Sequence, residues 1–413
     1  MNLSKSFEYL SRAEKVIPVQ SQTFSKGWKY FPKGVSPVYL QRGEGSHIWD
    51  VDGNEYIDYI CALGPITLGY HYPRIDKAIR KQLEDGIIFS LPHPLEVELS
   101  ELLVDIIPCA EMVRFLKTGS EACQAAVRAA RAYTGKQGIA FWGYHGWHSW
   151  YAVTTERDKG ISRELLSHIF SFEYNNIHSL EHIFNREGIA AVIMEPMIVH
   201  PPKDNFLQDV KELAHKHGAL LIFDETVTGF RWALGGAQEY FGVIPDLSAF
   251  GKGIANGMPL SVVCGKKEVM REFEDIFVSS TFGGECLSLA AGLATIKEMI
   301  DKKTIDHCWK LGKRLIDGLN DLGIKTIGFP CRPAITQSFA PQEKALLLQE
   351  LFKRGIMVHS NLIFNLCYSH SEEDINKTLT AFEKSFMVIK KTVSSGDWGI
   401  LKGSIIQPAF KRL

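Results

Sequence analysis

The chain has 413 residues, 45% of them hydrophobic, with 46 Lys and Arg against 47 Asp and Glu for a formal net charge of −1. That length and apolar content support a large core and two domains, while the balanced charge removes any electrostatic case for nucleic acid or an anionic membrane as partner. Cys61, Cys109, Cys123, Cys264, Cys286, Cys308, Cys331 and Cys367 are scattered without a C-x-x-C pair, and no apolar run approaches the roughly 20 residues of a membrane span. A disulfide framework and a structural zinc site are therefore not expected. Together with the absence of an apolar h-region in Met1–Glu8, this reads as a soluble, cytoplasmic protein of a reducing compartment.

Residues 1 to about 60 read as a polar, proline-bearing arm and a hairpin, with strands near His47–Asp50 and Glu55–Ile60 folded about Asp52-Gly53. Next, apolar runs end in polar or glycine-rich turns, and most lead into helix-compatible sequence. Met112–Leu116 ends at Lys117-Thr118-Gly119-Ser120, ahead of an alanine-rich helix over Glu121–Tyr133. Gly138–Trp142 ends at Gly143-Tyr144-His145-Gly146, and Ile189–Met194 ends at Glu195-Pro196. Leu207, Val210, Leu213 and Ala214 set a helix over Leu207–His217 that Gly218 stops. The apolar run Leu220–Phe223 then delivers Asp224, a short strand Leu247–Phe250 leads to Lys252, and Leu287–Ile300 has helical spacing. Beyond about Thr304, helices such as Trp309–Leu322 and Glu343–Arg354 mix with strand-like runs such as Gly355–Val358. The expected fold class is α/β. Residues 1–60 form an N-terminal arm and part of a small domain, 61–303 a large domain whose mainly parallel sheet is flanked by helices, and 304–413 the rest of a small α+β domain.

In parallel α/β sheets, ligands bind beyond the carboxyl ends of the strands. Lys252 lies between Gly251 and Gly253 in apolar surroundings, where desolvation favours the neutral amine and makes it a candidate nucleophile. Asp224, at a strand terminus, can hold a cofactor's ring nitrogen protonated. The pair points to pyridoxal phosphate (PLP), with Lys252 as Schiff-base lysine and Asp224 as pyridinium partner. A solvated lysine and an acidic loop start are the plain alternative. Gly119 and Ser120 precede a helix, so their N–H groups and the hydroxyl can cradle a phosphate, although Ser is equally an ordinary N-cap. Tyr144 can stack on a pyridine face or simply pack in the core. Glu195 ends an apolar strand and is either functional or half of a structural ion pair. Thr226, in an extended segment, would point to the same side as Asp224 and cover the other ring face. Ser279–Gly284 offers hydroxyls for a second phosphate contact. His145 with His148, and His215 with His217 on different faces of a helix, lack His-Glu-x-x-His spacing, so no metal is expected.

At these residues the chain resembles the class-III (omega-type) aminotransferases of PLP fold type I, most of all their glutamate-1-semialdehyde 2,1-aminomutase branch. The matching stretches are Gly34–Val38, Trp49–Tyr59, Leu68–Pro73, Thr118–Ala122, Tyr144–Gly146, Asp224–Arg231, Gly251–Gly253, Thr281–Gly284 and His370–Ile375. The resemblance implies PLP fold type I, with the internal aldimine on Lys252 and a salt link from Asp224 to the pyridine nitrogen. It also implies phosphate contacts from Gly119 and Ser120 of one subunit and Thr281 of its neighbour, with Tyr144, His145, Glu195 and Thr226 around the ring. A homodimer with shared active sites follows from the same likeness.

The departures fall on the substrate side. Where the aminomutase has an arginine after Ser-Pro-Val, this chain has Tyr39, which cannot supply a bidentate charged fork. Trp147-His148-Ser149-Trp150-Tyr151 replaces a glycine-rich gating stretch, and Asn361–Asn365 lacks an expected acidic residue. Tyr39 and Trp147 are therefore read as substrate-side positions. The expected activity is transfer of an amino group from an amine or amino-acid donor to a carbonyl acceptor such as a keto sugar or specialised aldehyde. An aminomutase, epimerase or decarboxylase is the alternative within PLP chemistry. A nicotinamide oxidoreductase would want a G-x-G-x-x-G that is missing, and a non-catalytic relative would be expected to lose Lys252 or Asp224.

Overall fold

In the computed structural model, which describes residues 1–186 and 188–406, the strands are β1 (Leu40–Glu44), β2 (His47–Asp50), β3 (Glu55–Asp58), β4 (Met112–Leu116), β5 (Gly138–Trp142), β6 (Ile169–Ser171), β7 (Ile189–Met194), β8 (Leu220–Asp224), β9 (Leu247–Phe250), β10 (Ser261–Gly265), β11 (Thr326–Ile327), β12 (Ala334–Ile335) and β13 (Ile356–Met357). The chain divides into two compact units. Among the described residues, one is Met1–Tyr72 with 306–406, and the other is Pro73–Ile305.

The middle unit carries a seven-stranded sheet in the order β4-β10-β9-β8-β7-β5-β6. From β9 through β6 the neighbours are parallel, whereas β10 runs antiparallel to both β4 and β9. Sequence reading did not foresee β10 or β6. All of β10 is buried, so it lacks the alternation that marks a half-exposed strand, and β6 has only three residues.

Period-two geometry then decides what each face carries. Ile193, Leu220, Ile222, Leu247 and Ala249 share a core with the helix Gly119–Thr134. Val192, Met194, Leu221 and Phe223 share another with the helices Ile177–Phe184 and Phe206–Lys216. Each large side chain fully buried this way, Phe223 for one, stabilises the fold by about 1.5–3 kcal/mol. The helix Gly119–Thr134 buries Ala122, Ala125, Ala126, Ala129 and Ala130, small residues that permit close approach to the sheet. Because Leu220 and Ile222 face that helix, Asp224 does too. Ile193 sets the same side for Glu195.

The other unit has a four-stranded sheet ordered β1-β2-β3-β13, antiparallel except for the β3–β13 pair, and a two-stranded ribbon of β11 and β12. Its core joins Tyr56, Tyr59, Leu311, Leu315, Leu319, Leu347, Phe352, Phe364, Ile375 and Phe382. The helix expected over Trp309–Leu322 begins earlier, at Thr304, because Lys303 takes a left-handed φ of 49° that ends the helix Cys286–Lys302 and starts the next at once. His217 is the cap residue beyond the helix Phe206–Lys216, so it does not share a helix with His215 as expected. His215 Nε2 lies 2.8 Å from Asp246 Oδ2, and the His217 ring stacks on Phe184 at 4.7 Å. All eight cysteines are free and buried. Among the described residues, no helix is long and apolar enough to cross a membrane.

Candidate active site

Asp224 ends β8 with only 3% of its surface exposed, and its carboxylate is surrounded by donors. The Thr226 N–H donates to Oδ1 at 3.0 Å. His145 Nδ1 stands 2.9 Å from Oδ2, and the Cys123 thiol donates to the same oxygen at 3.2 Å. Burial alone would push the carboxyl's pKa up. The hydrogen bond and charge of His145, the Thr226 contact and the charge of Lys252 outweigh it, holding Asp224 below the ordinary aspartate range. The other ring nitrogen of His145 faces the Trp142 carbonyl at 3.1 Å, so this buried ring is fixed at both ends.

Glu195 behaves in the opposite sense. Burial and the neighbouring charge of Asp224 raise its pKa, and the Tyr144 N–H, which donates to Oε1 at 2.7 Å, together with His145 and Lys252 reduces that rise. Two carboxylates near one another in low dielectric thus split into an ionised member and one that takes up a proton more readily.

Lys252 opens a short 3-10 turn after β9 with φ of 40°, a left-handed conformation unusual and strained for a side chain of its size. Its charge reaches Asp224, Glu195 and Cys123. In-register pairing of Asp224 with Ala249 brings the ends of β8 and β9 side by side. Thr226 does not continue the strand as expected. It lies in a turn whose first N–H is captured by Asp224, and its side chain sits against Gly119. A Cβ on Gly119 would come within 2.7 Å of Thr226 Cγ2, so only glycine allows this approach. Thr226 Oγ1 is buried without a hydrogen-bond partner.

The helix beginning at Gly119 is capped by Thr118, whose side chain accepts from the Glu121 N–H at 3.3 Å, while Glu121 accepts from the Thr118 N–H at 2.8 Å. The Gly119 and Ser120 N–H groups lie ahead of the first i→i−4 bond, so the helix itself offers them no acceptor. The N-cap role that sequence left open for Ser120 falls to Thr118. Gly146, at φ of 93°, packs its backbone against the Ser120 side chain and joins the Tyr144-His145-Gly146 turn to this helix end.

Tyr144 is 52% exposed, with its ring edge-on to Tyr151 at 5.6 Å, and Trp147 is 73% exposed beside His148. The fold thus gathers Asp224, Lys252, His145, Glu195, Thr226, Gly119, Ser120 and Tyr144. Thr281 lies on an exposed loop where Gly283 backs onto the Phe115 carbonyl at the end of β4. Tyr39 belongs to the other unit; there its hydroxyl donates to the Gln20 carbonyl at 3.3 Å and its ring meets Tyr9 at 5.7 Å. Cys123 was missed by sequence reasoning. Its one signal was its spacing four residues after Gly119, which puts both on one helix face.

The class-III aminotransferase family profile matches residues 30–384, most of the chain. The chain belongs to the class-III aminotransferases. Among class-III relatives, the 3-aminobutyryl-CoA aminotransferase of Cloacimonas acidaminovorans (strain Evry) is 36% identical over 415 residues, covering 95% of this chain and 99% of its own. A glutamate-1-semialdehyde 2,1-aminomutase of Acetivibrio thermocellus is 39% identical over 350 residues, covering 79% of this chain and 81% of its own. Of solved structures, the FumI protein of Sphingopyxis sp. MTA144, in its PLP internal aldimine form, superposes with a TM-score of 0.89 at 29% identity, covering 95% of this chain and 98% of that one. An omega-transaminase from Sphaerobacter thermophilus gives 0.86 at 26% identity, with 93% and 98% covered. This class-III enzyme has PLP fold type I, and its cofactor is PLP.

The residues present fit that cofactor. The orphaned Thr226 hydroxyl awaits a polar partner, and the paired N–H groups at the Gly119 helix end suit a phosphate. Oδ2 of Asp224 already receives two donors and Oδ1 one, which leaves acceptor capacity on Oδ1 for a protonated ring nitrogen.

Proposed function

We propose that this class-III enzyme transfers an amino group from an amine or amino-acid donor to a carbonyl acceptor other than a simple 2-oxo acid, a keto sugar or specialised aldehyde being the class that fits. The observation carrying the reading is the buried Asp224 at the end of β8, with donors on both carboxylate oxygens, and Lys252 just beyond the paired end of β9. PLP, when bound, supplies an aldehyde that captures amines and a protonated ring that draws off the electron pair left when a C–H proton departs. Lys252 would hold the cofactor through its Nζ, and as a free amine the same Nζ would accept and return the proton of the substrate's C–H. Asp224 would keep the ring nitrogen protonated through Oδ1. Gly119 and Ser120 would hold the phosphate, Tyr144 would stack on the ring, and Glu195, His145 and Thr226 would shape its surroundings.

In the other unit Tyr39 lines a cavity of about 500 Å³ together with Ile17, Trp28, Phe31, Asp58, Ile60 and Tyr70. None of the described residues lining it is an arginine, and its one lysine is Lys26. The acceptor reading rests on Tyr39 itself, which cannot supply the guanidinium fork that would hold a substrate carboxylate. Relatives named as aminomutases favour a second reading, intramolecular transfer. The middle unit also exposes Ile87, Ile88, Phe89, Leu91, Phe277 and Phe282, and the Cys286 N–H donates to the Ile87 carbonyl, so the two segments adjoin. A patch of this kind fits burial against a second copy of the chain, and Thr281, beside Phe282, would serve the neighbour's phosphate.

The test is a half-reaction screen in which holoenzyme meets single amines and the bound cofactor's visible absorbance is followed. Loss of the band with release of a free carbonyl product is expected. Accumulation of an isomerised amine alone would transfer the assignment to the aminomutase, and a wild type that stays colourless with added PLP would overturn both. Sedimentation of the holoenzyme should give a dimer; a cofactor-loaded monomer would remove the shared-site reading.

A further inference from the structure

Cys123 lies one turn into the helix Gly119–Thr134, fully buried, and has no place in the mechanism above. Its thiol is held protonated by burial and by the charge of Asp224, so it acts as a donor. The three groups Cys123, His145 and Asp224 have their polar atoms within 4.8 Å of one another, all buried. A carboxylate oxygen accepts about two in-plane hydrogen bonds. With His145 and Cys123 both on Oδ2, that oxygen is filled, whereas Oδ1 has only the Thr226 N–H.

We propose that Cys123 is a positioning residue for the cofactor ring: its thiol completes the filling of Asp224 Oδ2 and so directs the ring nitrogen to Oδ1. The inference rests on Asp224 being the partner of that nitrogen. Without the thiol, Oδ2 regains an open acceptor site, the carboxylate can turn about its Cβ–Cγ bond, and the ring loses a fixed partner. His145 cannot compensate, because its second nitrogen is engaged by the Trp142 carbonyl. The backbone on either side supports this role. Thr118 and Glu121 fix the start of the helix, and Gly119 lets it press against Thr226, so the thiol reaches Oδ2 from a rigid mount.

Three substitutions separate donation from packing. Cys123→Ser keeps a donor but loses volume, Cys123→Val loses the donor and is larger by about one methylene, and Cys123→Ala loses the donor at nearly serine's volume. If the thiol serves as donor, PLP bound to the full-length valine variant dissociates about three- to tenfold more readily than from wild type, the range expected for one lost hydrogen bond, while serine stays within about twofold. Alanine should follow valine and not serine; a packing role predicts that alanine and serine weaken binding alike, and that outcome would overturn the proposal. So would valine binding PLP as wild type does.

A spectroscopic signature needs no valine variant. Infrared difference spectra of wild type minus Cys123→Ser isolate the S–H stretch of this thiol. The band should lie at lower frequency than that of a thiol without an acceptor and move when PLP is added to apoenzyme. A band at the frequency of a non-bonded thiol would refute the assignment. Asp224→Asn, run in parallel, separates the two layers of argument. If PLP binds the asparagine variant as tightly as wild type, the role of Asp224 fails; if only asparagine weakens binding and valine does not, the role of Cys123 alone fails.

Discussion

Two aspartates end two strands in the two units, and their surroundings make them opposites. Asp224 closes β8 and Asp58 closes β3, with 3% and 2% of their surfaces exposed. Burial pushes both towards the protonated form. Asp224 receives the charge and hydrogen bond of His145 and the charge of Lys252, and its pKa falls below the ordinary value. Asp58 receives the Tyr70 hydroxyl at 2.7 Å and the N–H groups of Ile60 and Cys61 at 2.8 and 3.1 Å. Neutral donors with a weaker contribution from His370 do not offset desolvation, and its pKa is pushed up to about 6. Position and burial are shared; formal positive charge next to the carboxylate is what differs. In one unit the buried acid is itself held in its ionised form, and in the other it ties a turn.

Substitutions in the two units should break this contrast in graded ways. The largest effect is expected at Lys252. Lys252→Ala should slow the half-reaction by about four orders of magnitude, since nucleophile and proton carrier are lost together. Rapid mixing with the best amine from the screen checks it, and a loss of less than tenfold would remove Lys252 from the chemistry. Asp224→Asn keeps shape but not charge and should cost on the order of a thousandfold in the same assay, with the fold unchanged by circular dichroism.

Asp58 governs stability instead. Its folded pKa lies above the unfolded value, so its stabilising contribution is complete below about pH 4 and is lost as pH rises through 6. The swing amounts to up to about 3 kcal/mol. Urea unfolding of wild type and Asp58→Asn at several pH values between 4 and 7 should show that component in wild type and not in the variant. Parallel curves for the two proteins would contradict the raised pKa.

The smallest effect is at Ser371, whose side chain accepts from the Asp374 N–H at 3.1 Å and caps the helix Glu372–Ser395. Ser371→Ala should cost about 1 kcal/mol of stability and leave cofactor affinity unchanged. A large change in PLP binding here would mean that the two aspartate environments are less separable than their neighbours imply.

Much of this was legible along the chain because it is local. Apolar runs such as Leu220–Phe223 and Ile189–Met194 announce buried parallel strands, and Asp224 and Glu195 stand at their ends by sequence order alone. The Lys252 glycine bracket and the alanine-rich helix after Gly119 are equally local. Legibility stopped where a residue's meaning depends on a distant partner. Thr226 was read as a continuing strand because nothing near it signals that Asp224 would capture its N–H. Strand β10 was missed because only its place between β4 and β9 makes the short run Ser261–Gly265 a strand.

The sequence by itself determined the repeating units, the residue types at the strand ends and the likeness to class-III aminotransferases, since periodicity, turn chemistry and motif order are written in neighbours. Only the tertiary structure decided that Cys123 and His145, 101 and 79 residues before Asp224, would share one oxygen of its carboxylate. It also decided that Asp224 would be ionised and Glu195 pushed towards its proton. Charge states in a buried site are set by which groups lie within a few ångströms in low dielectric, and chain order does not carry that distance.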